Sequence, residues 1–443
     1  MKNLTITITL CAIGIFVCCC FGGCGDINKD ELPPYDKDGV ILDSVFKSFY
    51  TREMPEKAML YVETSGSMNG LFRKGASTGF KSDISTILLN RQIKPIISSV
   101  NVFVDNSGEQ VRGYTPEAFR TKMNNGDFVS QQSTIIPKML EKILSDIDAG
   151  ACDVAVLISD MKYSPVGKNH QIAMDQYETE IKSMFDGVQY SVSLIGCESE
   201  YIAINGKSHC DEFPYYFVII GDTKKTAWMR NKVMNALESV EATKGHIKGC
   251  MDFNIDYGCP RYTALPNQSI GVVQNTSELM SPIVDMHSSS FTTFDDSAQP
   301  VTIKLAVNYR HIPLDLVNAL SHSDFILSSY MGDMNAEISG IEPIPDNYKC
   351  QHQSLIDYVQ PNVLIKVNLT GLDTYKSDVI SIKLNTLKQS TDWVEKYYGA
   401  ELESELDKTL SIDALVKGLS SAYDSYNLQN SAMTLFITTE ANK

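Results

Sequence analysis

The hydrophobic pattern of this chain changes character twice, and each change marks a different kind of structure. From about residue 55 to 245, short apolar runs alternate with segments whose apolar residues recur every three or four positions. That is the pattern of buried strands alternating with amphipathic helices. Ala58–Val62, Val100–Val104, Val154–Ile158, Tyr190–Ile195 and Tyr215–Ile220 are the expected strands. Between them, Thr78–Ile93 places Phe80, Ile84, Ile87 and Leu88 at helical spacing, and Ile135, Met139, Ile143 and Ile147 form a second, broader stripe. Asn169–Phe185 and Thr223–Val240 predict two more helices. Asn106-Ser107-Gly108 turns the second strand into Gln110–Tyr114, an antiparallel edge, and Asn205-Gly206 predicts a hairpin excursion after Tyr201–Ile204. Strands that are apolar at every position must be covered on both faces. Residues 55–245 are therefore expected to form a doubly wound, mostly parallel α/β sheet with helices on both sides.

Beyond residue 245 the period shortens. Val301–Val307, Val363–Leu369 and Val379–Leu384 alternate apolar and polar residues, as strands with one wet face do. Asp392–Tyr398 and Ile412–Tyr426 are helical insertions before a last strand at Met433–Thr438. Residues 301–443 thus predict a β-rich, sandwich-like domain, and the polar stretch 246–300 a linker or long loop.

At the other end, Lys2 precedes the apolar run Leu4–Phe21, which closes on Gly22-Gly23-Cys24. A basic start, an apolar stretch and small residues before a cleavage point define a secretory signal. A cysteine directly after two small residues resembles the bacterial lipobox, with Phe21 where leucine is usual. The resemblance implies a signal peptide over 1–24, lipid on Cys24 and a membrane anchor through that lipid. Residues 25–54 are acidic, contain Pro33-Pro34 and suit a tether. Acidic residues after the lipidated cysteine resemble surface-export signals of Bacteroidetes-type lipoproteins. The implied location is the cell envelope, as an outer-membrane lipoprotein facing the periplasm or the surface.

Composition excludes more than it assigns. The 443 residues carry 38 basic and 54 acidic side chains, a formal charge of −16. Nucleic-acid phosphates reward clustered Lys and Arg, so a nucleic-acid partner is not expected. Of eleven cysteines, Cys11, Cys18, Cys19, Cys20 and Cys24 lie in the signal. Six spread over the rest are too few for a disulfide framework; Cys250 and Cys259 bracket a polar loop and are the pair to expect. Zinc held by these cysteines with His209 or His246 lacks any C-x-x-C spacing. Trp228, on the last helix of the α/β region, reads as packing. There is no H-E-x-x-H, G-x-S-x-G, P-loop or dinucleotide fingerprint.

The candidate chemistry lies where the first strand ends. Ala58–Val62 runs into Glu63-Thr64-Ser65-Gly66-Ser67, a carboxylate followed by hydroxyls at two-residue spacing. Hard cations such as Mg²⁺ take oxygen ligands of this kind. Ser133-Thr134 opens the helix beginning near Ile135, and Asp160 ends the central strand, so three pieces fall beyond strand ends, where sheets of this class bind ligands. The stretch resembles the Asp-x-Ser-x-Ser loop of von Willebrand factor A (vWA) domains, which opens a metal-ion-dependent adhesion site. The resemblance implies Mg²⁺ or Mn²⁺ held by the hydroxyls of Ser65, Ser67 and Thr134. Glu63 and Asp160 would act through metal-bound waters, and a carboxylate of a protein partner would fill the open position.

Two departures make the site degenerate. Glu63 stands where the family has Asp and is longer by roughly 1.5 Å, one C–C bond. Met161 follows Asp160 where Gly is common. The expected function is protein binding through this domain. The alternatives are an inert loop in a structural component of an envelope assembly, or a hydrolase using Thr64 or Ser65 as nucleophile. The hydrolase lacks the ordered Asp and His ligands of a two-metal site and an evident base.

Overall fold

Val154–Ser159 is buried at every position, and its side chains enter two separate cores. Val154, Val156 and Ile158 join one, Ala155 and Leu157 the other. Such a strand lies inside a sheet covered on both faces. The computed structural model describes residues 54–104, 108, 110–128, 135–163, 170–206, 208–254, 260–265, 270–275, 282–287, 300–332, 334–345, 348–349, 353–372, 377–385, 387–398, 406–409, 411–423, 427–428 and 432–440. The first sheet has seven strands: β1 (Ala58–Val62), β2 (Ile97–Phe103), β3 (Val111–Tyr114), β4 (Val154–Ser159), β5 (Ser191–Ile202), β6 (His209–Gly221) and β7 (Ile247–Phe253). Their order is β3-β2-β1-β4-β6-β5-β7. β1 pairs in parallel with both β2 and β4, while β3 is an antiparallel edge on β2.

The far half of the sheet differs from the sequence expectation. Tyr190–Ile195 and Tyr215–Ile220 are not successive strands separated by an excursion. They are the inner parts of one long hairpin, β5 and β6, and β6 sits antiparallel between β4 and β5. A short connection makes its two strands antiparallel neighbours, and this one carries the pairing on to Tyr201 and Ile202. β1, β2, β4 and β5 therefore run one way, and β3, β6 and β7 the other.

Helices cover both faces. α1 (Gly79–Leu89) and α2 (Pro116–Asn125) pack on one side with Phe80, Ile84, Phe119 and Met123. α3 (Ile136–Asp148) and α4 (His170–Phe185) pack on the other through Met139, Ile143, Tyr177 and Ile181. α5 (Thr223–Glu238) returns to the first side. Its start is capped by Asp222, whose carboxylate accepts from the backbone of Lys224 and Lys225, satisfying donors that a helix start leaves open.

The stretch expected as a linker, 246–300, instead contains β7, β8 (Arg261–Leu265), β9 (Ile270–Asn275) and β10 (Pro282–His287). β7 is the outer strand of the first sheet, because Met251 and Phe253 enter its core. The remaining elements are β11 (Val301–Asn308), α6 (Leu314–Asn318), β12 (Phe325–Ser329), β13 (Asn335–Pro343), α7 (Gln353–Val359), β14 (Val363–Thr370) and β15 (Ser377–Leu384). They are followed by β16 (Leu387–Lys388), α8 (Asp392–Glu395), α9 (Ser411–Ala422), β17 (Asn427–Leu428) and β18 (Met433–Glu440). Sheets β12-β15-β18-β10-β9 and β13-β14-β11-β8 bury Val284, Ile380 and Leu435 against Tyr262, Leu305 and Ile365, a sandwich.

The helical insertions do not belong to that sandwich, as the boundary at 301 had them. Val394 of α8 and Ile412, Leu415 and Leu419 of α9 enter the core on the α3–α4 face of the first sheet. Gly418 permits close approach to α4, since a β-carbon there would fall 2.8 Å from the Glu178 carbonyl oxygen. No helix among the described residues is long and apolar enough to cross a membrane. The Leu4–Phe21 run and Cys24 lie outside the described residues.

Candidate functional site

Parallel pairing of β1 with β4 sets the site. Val62 is in register with Ile158, so Glu63 and Ser159 stand side by side at the carboxyl ends of adjacent strands. The Glu63 amide donates to the Ile158 carbonyl at 3.0 Å. The Ser159 hydroxyl donates to Glu63 Oε2 and accepts from the Met161 amide at 2.7 Å. The extra methylene of Glu63 thus carries its carboxylate onto a hydroxyl of the neighbouring strand, and the side chain is only 1% exposed.

Past Glu63 the chain makes a short 3₁₀ turn over Gly66–Met68. It faces the Ser65 and Ser67 hydroxyls at each other, Oγ to Oγ at 2.9 Å. Thr64 turns away, donating its hydroxyl to the Phe103 carbonyl at 3.1 Å. That ties up the hydroxyl a Thr64 nucleophile would need.

Asp160 is fully buried at the end of β4. Its Oδ1 accepts from the Lys162 amide at 3.0 Å, while Oδ2 has no aligned hydrogen-bond donor among the described residues. Burial pushes its pKa above the usual carboxylate range; the Lys162 charge and the Ser67 hydroxyl beside it act the other way. Met161 next to it adopts φ of 56°, a left-handed conformation that favours glycine. Glycine is the residue to compare with at this position, and here a buried Met holds the left-handed backbone.

The β5–β6 hairpin closes the site from the side. Tyr201 stacks on Phe213 with centroids 4.6 Å apart, and Lys162 Nζ lies 4.8 Å from the Phe213 centroid. The Tyr201 ring also occupies the space a side chain on Gly70 would need, so that close approach depends on glycine. Burial raises the Tyr201 pKa, and the charge of nearby Asp160 raises it further.

The structure therefore brings Glu63, Ser65, Ser67 and Asp160 to one edge. Thr134, with Ser133, lies outside the described residues, as does Cys259. Cys152, Cys197, Cys210 and Cys250 are free thiols. Among the described residues no group of three His, Cys, Asp or Glu converges as a ligand set, and this loop offers carboxylates only from Glu63 and Asp160. A cation there would rest largely on hydroxyls and water. Sequence patterns missed Ser159 and Lys162, although both adjoin Asp160. They also missed Thr409 and Ser411, which reach the same turn from far along the chain. No family model matches the chain, and neither a curated protein nor a solved structure matches it.

Proposed function

We propose that this chain is a lipid-anchored envelope protein that binds another protein through its vWA-like α/β domain, at a degenerate metal-ion-dependent adhesion site. The observation that carries this reading is Asp160 Oδ2. Among the described residues it is a buried carboxylate oxygen with no aligned donor, at the same edge as the Ser65–Ser67 hydroxyl pair and with the Ser67 hydroxyl beside the carboxylate. Buried polar atoms left in this state are rare and cost free energy unless something else fills the role. Ser65, Ser67 and Asp160 would hold Mg²⁺ or Mn²⁺, with Glu63 acting through water. Bound there, the ion would join the loop to an acidic side chain of the partner. The chain's own part is to hold the two hydroxyls together, keep Asp160 away from bulk water and place Tyr201 beside the opening. The role is one of binding, with no enzymatic step.

The second reading, an inert loop in a structural envelope component, is favoured by the Ser159–Glu63 bond and by Lys162, a fixed cation beside Asp160. Calorimetric titration of the purified protein with MgCl₂ and MnCl₂ separates the two. A metal-dependent heat that Ser65→Ala abolishes and Glu63→Asp strengthens is expected, because the shorter carboxylate releases Ser159 and suits the small octahedral shell of Mg²⁺. Absence of heat in both the native protein and Glu63→Asp leaves the inert loop. The anchor is tested separately: Cys24→Ala should abolish metabolic lipid labelling, and unchanged labelling would place the anchor elsewhere.

A further inference from the structure

β15 and β18 pair antiparallel in the sandwich, and Leu387 just after β15 still enters the sandwich core. Described residues further along the chain between the two strands instead bond the α/β layer. The Gln389 side-chain amide bonds both backbone groups of Asp252 in β7, at 2.7 and 2.6 Å. Lys396 and Tyr397 donate to buried Glu198 of β5 at 2.6 and 2.5 Å. The Thr409 amide then bonds the Tyr397 carbonyl at 2.8 Å, so the following segment is held by what precedes it.

That segment ends on the turn after β4. The Thr409 hydroxyl donates to the Asp160 carbonyl at 3.3 Å. The Ser411 hydroxyl donates to the Met161 carbonyl and accepts from the Tyr163 amide at 3.0 Å. Lys162 Nζ reaches the Leu406 carbonyl at 3.5 Å. Thr409 and Ser411 are both fully buried. Met161 is left-handed, a conformation that persists only where its surroundings over-determine it. The surroundings here are hydroxyls delivered from the arm.

We propose that the arm, residues 385–432, shapes the Asp160–Tyr163 turn through Thr409 and Ser411 and so couples the sandwich to the adhesion-type loop, with Ser411 as the positioning residue. Coupling of this kind requires a turn with two arrangements, and the structure shows the clasped one, held by the Thr409 and Ser411 hydroxyls. Its consequence for binding rests on the proposed function; its effect on the turn does not.

Amide hydrogen exchange on the full chain tests it. Removing the Ser411 hydroxyl frees the Tyr163 amide trivially, so Tyr163 decides nothing. Met161 and Lys162 decide, because their amides are held by Ser159 and by the Asp160 carboxylate, which the change leaves in place. In Ser411→Ala, exchange at Met161 and Lys162 should accelerate about tenfold, the scale of one lost buried hydrogen bond, and Ser411→Thr should restore it. Acceleration confined to Tyr163 would overturn the proposal. If Ser411→Ala does not fold, Thr409→Val gives the same readout, with unchanged exchange at Met161 and Lys162 overturning it. Titration with MgCl₂ adds the functional arm. Where the native protein binds Mg²⁺, Ser411→Ala should weaken it about tenfold on the same hydrogen-bond scale, measured at a temperature where the variant is folded. Unweakened binding would remove the coupling to the loop. Absence of binding in the native protein would count against the proposed function alone, and the exchange result would still decide the arm.

Discussion

A β-carbon on Gly249 would fall 2.3 Å from Cγ of Trp393. Gly249 of β7 is paired with Gly196 of β5, and a β-carbon there would meet the same indole at 2.2 Å. Two facing glycines thus leave a slot in the sheet surface, and the arm's only tryptophan lies in it. Glycine inside strands is unfavourable unless something packs close to the backbone, and here the indole does. Gly249→Val is expected to expel the ring and detach α8, lowering the melting temperature sharply. Trp393→Ala should cost about 3 kcal/mol, at the lower end for tryptophan truncation because the ring is only half-buried. Urea denaturation of both variants checks this, and a loss below about 1 kcal/mol, the level of ordinary surface changes, would mean the arm is not seated in solution.

Arg230 of α5 is fully buried and bonds Asp252 Oδ2 at 2.7 Å, with its guanidinium also donating to the His311 carbonyl. Ser193 donates to the other oxygen of Asp252 at 2.6 Å. Breaking a buried pair leaves a charge without compensation, so Arg230→Ala should cost roughly 3–5 kcal/mol. Arg230→Ala with Asp252→Ala should cost less than either single change predicts by addition, because the stranded carboxylate is gone. A double-mutant cycle by chemical denaturation gives the coupling, and strict additivity would show that the pair does not act as a unit.

Much of the α/β layer was legible because its signals are local. The continuous apolar run at Val154–Ile158 marks a strand buried on both faces, and the Asn-Ser-Gly sequence at 106–108 anticipates the antiparallel pairing of β3 with β2. α2 was overlooked although Thr115, Pro116 and Gly126 announce its ends; Thr115 caps the Ala118 amide and Gly126 is left-handed. Only Phe119 and Met123 are buried in it, too few to make a visible stripe. The order β4-β6-β5 was not legible, since nothing in either strand's composition says which neighbour it takes. Glu63, Ser65, Ser67 and Asp160 could be gathered because each follows a strand end. Thr409 and Ser411 could not, because a hydroxyl that bonds a turn some 250 residues away in sequence leaves no local pattern.

His246 Nδ1 lies 2.8 Å from Asp83 Oδ1, and the Tyr215 hydroxyl donates to the other oxygen of that buried carboxylate. The bond to Asp83 raises the imidazole pKa above its ordinary 6.5, with burial opposing. Burial raises that of Asp83, against the His246 and Tyr215 hydrogen bonds. Both shifts mean that the folded state holds protons more tightly than the unfolded one. Their contribution to stability is therefore present below the unfolded pKa values and lost as pH rises through the folded ones. The melting temperature should fall as pH rises from the ordinary imidazole value of 6.5 through the raised folded one, and His246→Gln should flatten that slope, since a neutral amide keeps a hydrogen bond but binds no proton. An unchanged slope in His246→Gln would assign the pH dependence to other groups.

Met161 sets two effects of opposite sign against each other. Its left-handed backbone costs a residue with a β-carbon roughly 1–2 kcal/mol, which glycine would recover. Its side chain is fully buried in the core of the α3–α4 face, and truncating such a methionine costs about 2–5 kcal/mol. Packing is the larger effect, so Met161→Gly should be less stable than the native protein despite the relieved backbone. Met161→Ala loses nearly the same packing and keeps the strain. The Gly variant should therefore exceed the Ala variant by about 1 kcal/mol, inverting the order found in helices and strands, where glycine is the worse residue by a similar amount. Urea denaturation of the two variants, with equal m-values, measures the difference directly. An Ala variant as stable as the Gly variant would mean that the turn after Asp160 relaxes out of the left-handed conformation in solution. The geometry drawn for Asp160 would then fail with it.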